Sequence, residues 1–145
     1  DVVSGNKSTW KMMQSLFTEE AFKNVSYLGS LNYNEIKNLI NQATLCVFPS
    51  FAEALPVSWL EAMAMQKPVV ASNIGWAKEI IEDSINGFLV HPKNHIEYAN
   101  KILEIINSET LQKQLGENAR KKIEDVFDVQ KVMQQNVAFY KSLMK

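Results

Sequence analysis

Leu45-Cys46-Val47-Phe48-Pro49-Ser50-Phe51-Ala52-Glu53-Ala54-Leu55-Pro56-Val57-Ser58-Trp59-Leu60-Glu61-Ala62-Met63-Ala64 is the stretch on which the fold turns. Its first four residues form a short continuous apolar run, the kind that fills a strand buried on both faces of a parallel sheet. Pro49 and Ser50 end that run. Pro56 suits the first turn of a helix, where its missing N–H would have no intrahelical partner and its ring holds a helical φ. Val57, Leu60, Met63 and Ala64 recur at three- and four-residue spacing, which predicts one apolar face packed on the sheet. The segment therefore reads strand, loop, helix.

A helix start carries unpaired N–H groups and a partial positive charge, so an anionic group such as a phosphate settles there without needing a particular side chain. Leu55, Val57 and Ser58 can offer N–H groups, and Pro56 cannot. Glu53 lies just outside the start and Glu61 roughly one and a half turns inside it. Two carboxylates so placed can accept hydrogen bonds from hydroxyls on either side of a bound diphosphate, and both sugar and ribose present such hydroxyls. The same two glutamates would also complement the helix dipole with no ligand at all, and spacing alone leaves both readings open.

Strand signals recur at Val2-Val3-Ser4, Val25 to Leu28, Val69-Val70-Ala71-Ser72 and Phe88-Leu89-Val90, with helical patterns between them. Trp10, Met13, Leu16 and Phe17 mark a helical face after the Gly5-Asn6-Lys7-Ser8 turn. Asn32 or Asn34 can cap a short helix carrying Ile36, Leu39 and Ile40. A helix near Trp76 to Ile81 runs into the turn Glu82-Asp83-Ser84-Ile85-Asn86-Gly87. From Ile96 the pattern is helical only. Ile96, Ala99, Ile102, Leu103 and Ile106 share one predicted face, Ser108 caps a helix bearing Leu111, Leu115 and Ala119, and Asp128 caps a last one ending in Tyr140 and Leu143. The alternation predicts an α/β fold, a Rossmann-like doubly wound parallel sheet of about five strands with a helical C-terminal region. Ligands of such sheets lie at the carboxyl ends of the strands.

Several motifs together carry a resemblance. Val25-Ser26-Tyr27-Leu28-Gly29, Pro49-Ser50, the Glu53 and Glu61 pair, Glu61-Ala62-Met63-Ala64, Pro68-Val69-Val70-Ala71-Ser72 and Asn86-Gly87-Phe88-Leu89-Val90 follow one another in a fixed order. In that order, over nearly the whole chain, the sequence resembles the C-terminal half of the family-four, or group 1, retaining glycosyltransferases. The resemblance implies one half of a GT-B fold that binds a nucleotide sugar, UDP- or GDP-linked. Glu53 would meet the donor sugar, Glu61 the ribose hydroxyls, and the backbone between them the diphosphate. Gly75 falls in the family's donor-sugar loop, usually with two glycines where this chain has Gly75-Trp76, and Trp76 there either narrows the pocket or covers the sheet. Ser30 and Leu31 match the loop that holds the base, and Glu79 a frequent family glutamate, although a solvent-exposed helix charge is the reading its position favours. Ala54-Leu55-Pro56-Val57 replaces the common Gly-Phe-Gly-Leu and leaves one fewer N–H for phosphate. Phe127-Asp128-Val129 stands where members often carry Phe-Ser-Trp.

The intact enzyme would transfer a hexosyl unit, with retention, to a glycan, a lipid-linked or a small acceptor, as in polysaccharide biosynthesis. The family's C-terminal half opens with a strand ending in a Gly-Arg loop and a nearby Lys that neutralise the departing diphosphate, and no match precedes Asp1. The chain thus reads as a single-domain fragment, 1–145, without the first strand and the N-terminal acceptor domain, and as inactive by itself. Direct pairing of the Val2 strand with the Leu45 strand, rather than a strand borrowed from a second copy, is expected to close the gap. A non-catalytic nucleotide-binding or docking module of the same fold, and a fragment of a nucleotide-sugar epimerase, are the alternatives.

Composition narrows the rest. The 145 residues, 46% hydrophobic, suffice for a real core, and a net charge of −1 brings no general attraction to nucleic acid. A single cysteine, Cys46, excludes an internal disulfide framework. His91 and His95 read as loop or capping residues, and with no cysteine cluster beside them no metal site is expected. No cofactor is implied beyond the donor substrate. No apolar run approaches the ~18 residues of a membrane span and no signal-peptide pattern opens the chain. A cytoplasmic setting is the expectation, with peripheral membrane contact open to the intact enzyme.

Overall fold

The computed structural model describes residues 8–144. The chain divides into two compact units, one ending at Asn32 and one beginning at Tyr33. In the first, α1 (Thr9–Gln14) is followed by α2 (Glu19–Lys23), a helix the sequence reading did not anticipate. Thr18 caps it, its hydroxyl accepting from the Ala21 N–H, and Glu19 and Glu20 occupy the first turn as the dipole favours. Trp10 gathers Phe17, Phe22 and Tyr27 around it, stacked on Tyr27 with ring centroids 4.6 Å apart.

One strand expectation fails in this unit. Val25 to Leu28 joins no sheet among the described residues. The Val25 N–H closes on the Phe22 carbonyl instead, and the Tyr27 ring stacks on Trp10. The expected Val2–Ser4 strand, and with it the pairing beside Leu45, lies outside the described residues.

The second unit holds the sheet. Its elements are α3 (Tyr33–Gln42), β1 (Cys46–Phe48), α4 (Val57–Ala64), β2 (Val69–Ser72), α5 (Ala77–Ile80), β3 (Phe88–Val90), α6 (His95–Ile106), α7 (Glu109–Lys122), a π-helical turn Ile123–Phe127, and α8 (Val129–Leu143). The described sheet has three strands rather than five, all parallel in the order β1-β2-β3. Cys46 pairs with Val69 and Val70 with Phe88. β2, in the middle, is buried along its whole length.

Alternate residues of β2 feed two cores, as the period of a strand requires. Val69 and Ala71 face Trp59, Ala62 and Met63 of α4 and Ala77 and Ile80 of α5. Val70 faces Phe88, Val90, Tyr98 and Ile105 on the other side. Helices thus cover both faces, and α7 serves both cores through Leu115 and Ala119. α7 can do so because Gly116 lies flat against the backbone of Gln66: a Cβ added there would stand 2.2 Å from the Gln66 carbonyl oxygen.

Two helices expose faces the sequence reading had assigned to the core. In α6 the buried positions are Tyr98 and Ile105 with Ile102 half-buried, while Ile96, expected in the core, is 77% exposed. The phenol of Tyr98 has buried polar partners across the sheet, described below, and that anchor sets the rotation of the helix. In α4, Val57 is 59% exposed and the buried face is Trp59, Ala62 and Met63. Trp59 carries far more apolar surface than Val57, so burying it stacked on Phe48 wins the orientation. The caps fall where expected: Ser108 accepts from the Leu111 N–H, and Asp128 from the N–H groups of Gln130 and Lys131. His91 accepts from the Lys93 N–H and His95 opens α6, so both act in the loop and helix start.

Candidate active site

Three strand ends and one helix start converge at the carboxyl edge of the sheet. Pro56 is the N-cap of α4 with φ −76° and ψ 94°, one position earlier than the sequence reading placed it, and its carbonyl accepts the Trp59 N–H at 3.0 Å. Val57 and Ser58 precede that bond, so their N–H groups have no acceptor within the helix. Both residues are exposed, as is Leu55 before them. The positive end of α4 therefore faces outward with free donors.

Its other end is held. Arg120 donates from Nη1 to the Ala64 carbonyl at 2.6 Å while its Nε meets Glu124 at the same distance. Gln66, at φ +57°, turns the chain out of the helix against Gly116. α4 is thus clamped at its carboxyl end and open at its amino end.

Glu53 and Glu61 flank the open end. Both are half-buried, and neither carboxylate has a hydrogen-bond or ion-pair partner among the described residues. Glu61, in the second turn of α4, lines a cavity of about 130 Å³ with Tyr33, Ile36, Lys37, Ile40, Ala64 and Met65. Partly withdrawing a carboxylate from water without a partner is unfavourable, and two such groups beside a helix start form a pair of acceptors without donors.

Gly75 brings the next loop against Glu53. It sits at φ +48°, in the left-handed region, and a Cβ there would stand 3.1 Å from the Glu53 carbonyl oxygen. The loops after β1 and β2 therefore touch backbone to backbone. Trp76, beside it, is 62% exposed and does not cover the sheet. It lines a second cavity of about 340 Å³ with Ala54, Leu55, Glu79, Ile80 and Phe127. Ser30 and Leu31 belong to the first unit, after Gly29 at φ +69°, the one exposed and the other half-buried.

Behind these loops lies a buried polar link. Tyr98 donates to the Phe48 carbonyl at 3.2 Å, so the Ser72 hydroxyl, 2.8 Å from the phenol oxygen, donates to it. The last residues of β1 and β2 are thereby tied to α6 where the two loops begin. Burial pushes the Tyr98 phenol up from its ordinary pKa, and the Ser72 hydrogen bond opposes the rise. The Cys46 thiol is likewise raised by burial, against the nearby Lys67 charge, and so stays a protonated core group. Among the described residues no group of three His, Cys, Asp or Glu side chains is placed to hold a metal ion.

The family model for glycosyl transferases group 1 matches residues 2–122. The chain belongs to that family. An uncharacterised glycosyltransferase of Methanocaldococcus jannaschii is 32% identical over 116 residues, covering 80% of this chain and 33% of the relative. The capsular polysaccharide biosynthesis glycosyltransferase CapM of Staphylococcus aureus is 30% identical over 105 residues, 72% of this chain and 28% of that protein. Anabaena HepE, solved in complex with UDP-glucose, superposes with a TM-score of 0.84 at 30% identity, covering 95% of this chain and 38% of HepE. This chain therefore spans about a third of the length of the relatives it matches. Its fold is the C-terminal, Rossmann-like half of a GT-B glycosyltransferase. No helix among the described residues is long and apolar enough to cross a membrane.

Four residues that shape this group 1 site escaped the sequence reading: Trp59, Tyr98, Gly116 and Arg120. Trp59 had a signal, since it follows Pro56 at helical spacing. The partners of Tyr98 lie 26 and 50 residues away and the Ala64 carbonyl that Arg120 holds lies 56 away, so no local pattern announces these contacts.

Proposed function

We propose that this chain is the nucleotide-sugar-binding half of a transferase that moves a hexosyl unit from an NDP-sugar, UDP- or GDP-linked, to a glycan, lipid-linked or small acceptor with retention. The observation that carries the reading is the pair of half-buried carboxylates, Glu53 and Glu61, without partners among the described residues, on either side of the open N-terminus of α4. A nucleoside diphosphate sugar meets each demand of that geometry. Its diphosphate is an anion for the N–H groups of Leu55, Val57 and Ser58 and the helix dipole. Ribose hydroxyls supply donors for Glu61 and sugar hydroxyls for Glu53. The backbone at Gly75 approaches the sugar. HepE, a relative of this fold, was solved with UDP-glucose, which supports the ligand class.

The electrostatic contribution of this half is fixed before the donor arrives. A dipole and oriented N–H groups aimed at the diphosphate favour the charge that grows on it as the glycosidic bond breaks. The remaining cations, the acceptor site and the exclusion of water belong to the rest of the enzyme in this reading, and so does its cytoplasmic setting. The 145-residue chain is accordingly expected to bind nucleoside diphosphates and to transfer no sugar.

Calorimetry with UDP and GDP tests this. Glu61→Ala is expected to weaken binding by about 1–3 kcal/mol, the usual loss of a charged hydrogen-bond partner. Equal affinity for variant and parent would remove Glu61 from the site, and release of nucleoside diphosphate from an NDP-sugar by the purified chain would overturn the division of labour.

A further inference from the structure

We propose that the cavity between Leu55, Trp76 and Phe127 is a subsite for a pyranose ring, stacked on the Trp76 indole with its hydroxyls donating to Glu79. The inference rests on the reading of the neighbouring site as a sugar-transfer site, and it adds Trp76 and Glu79 to the binding surface that Glu53 and Glu61 begin.

The first argument is exposure. Trp76 is 62% and Leu55 57% exposed, although each sits on a short loop next to a buried residue, Ala77 or Pro56. Trp76 precedes α5 as its N-cap residue without a side-chain cap bond, and its ring is absent from the hydrophobic cluster that Ala77 and Ile80 enter directly behind it. Neither helix capping nor core packing uses the indole. An aromatic face left open at the carboxyl edge of a parallel sheet is placed where ligands of such sheets lie.

The second argument is the chemistry of the walls. Of the six lining residues, five are apolar and the sixth, Glu79, is a carboxyl acceptor without a hydrogen-bond or ion-pair partner among the described residues. Such a cavity rejects anions, because it has no cationic side chain and one negative charge. It favours a ligand with an apolar face and several hydroxyl donors at the rim. A pyranose has both, with C–H groups on the faces of the ring and hydroxyls around its edge. The volume, about 340 Å³, falls in the range of small-molecule sites.

Position is the third argument. Trp76 directly follows Gly75, whose backbone packs on that of Glu53, and Ala54 and Leu55 are shared between the cavity and the loop that leads into α4. A ring in this cavity is therefore next to the transferring sugar or is that sugar. Phe127 reaches the cavity from the last residue of a π-helical turn, a backbone irregularity of the kind that often marks functional sites.

The experiment titrates the parent chain, Trp76→Ala and Glu79→Gln with UDP, with a panel of UDP-glucose, UDP-N-acetylglucosamine and GDP-mannose, with the corresponding methyl glycosides, and with choline. Both positions are exposed, so the variants are expected to fold as the parent does. Calorimetry is paired with acrylamide quenching of indole fluorescence, which Trp76 dominates because Trp59 is buried and Trp10 partly so. A matching sugar should shield Trp76 in the parent, and each variant should bind it about fivefold more weakly with UDP affinity unchanged. Loss confined to the NDP-sugars assigns the ring to the donor; loss for the methyl glycosides assigns it to the acceptor. Parent binding of UDP with no sugar able to shield Trp76 overturns the subsite and leaves the nucleotide site standing. Shielding by a sugar without UDP binding does the reverse. Choline shielding as strong as any sugar's would also overturn it, since a cation would then be the natural occupant.

Discussion

Replacing Gly116 by alanine puts two opposing effects in one position. α7 runs from Glu109 to Lys122, so Gly116 lies in its interior, where alanine is intrinsically better by about 1 kcal/mol. The new methyl, however, would sit 2.2 Å from the Gln66 carbonyl oxygen and 3.1 Å from its carbonyl carbon. These are backbone atoms, and they cannot swing aside. The Gln66 N–H is bonded to the Met63 carbonyl, the Lys67 N–H to the Ala62 carbonyl, and two residues later Val69 is fully buried in β2. α7 must move out instead, loosening Leu115 and Ala119 from both cores. Overpacking of this kind costs about 3 kcal/mol at the upper end of the usual range, which after the propensity gain leaves a net loss of about 2 kcal/mol. At this size that is a fall of roughly 4–8 °C in melting temperature. Thermal and urea unfolding followed by circular dichroism would measure it, with Glu117→Ala on the exposed face of α7 as the reference. A Gly116→Ala chain that melts higher than its parent would refute the close approach of α7 to the end of α4.

Other outcomes follow from single contacts. Tyr98→Phe leaves the Ser72 hydroxyl buried without its partner and should cost about 1–3 kcal/mol at neutral pH. Because the Tyr98 pKa is raised in the folded state, the parent keeps its full advantage below the unfolded value of about 10 and loses it as the pH rises through the folded value. The stability gap between parent and variant should therefore narrow above pH 10 in urea titrations, and a gap constant to pH 11 would contradict the buried phenol. Asp128→Ala removes the cap of α8 and should cost about 1 kcal/mol. α8 has no buried residue, so the loss should show as faster amide exchange within α8 rather than as a lower global melting temperature.

The segment from Leu45 to Ala64 was legible because its signals are local. An apolar run, a proline and a helical period each act within a few residues, and so strand, loop and helix appeared where expected, as did the Ser108 and Asp128 caps. Glu53 and Glu61 were legible for the same reason: their separation along the chain sets which side of a helix start each occupies. Rotation about a helix axis was not. α6 carries two apolar stripes, and only the phenol of Tyr98, reaching Phe48 and Ser72 across the sheet, decides which one turns inward. In α4 both Val57 and Trp59 are apolar, and the ring of Phe48 selects the tryptophan. Val25 to Leu28 has the composition of a strand, yet a strand exists only with a neighbour, and neighbours are a property of the fold. Gly116 is the extreme case: nothing near it in the chain asks for a missing side chain, and the reason is the Gln66 backbone fifty residues earlier. The sequence by itself determined the strand, loop and helix from Leu45 to Ala64, the family and the two carboxylates at the helix start. Which faces are buried, how α4 is held at one end and open at the other, and that Trp76 stands clear of the core were decided by tertiary packing, because the groups that choose between equivalent local patterns are distant along the chain.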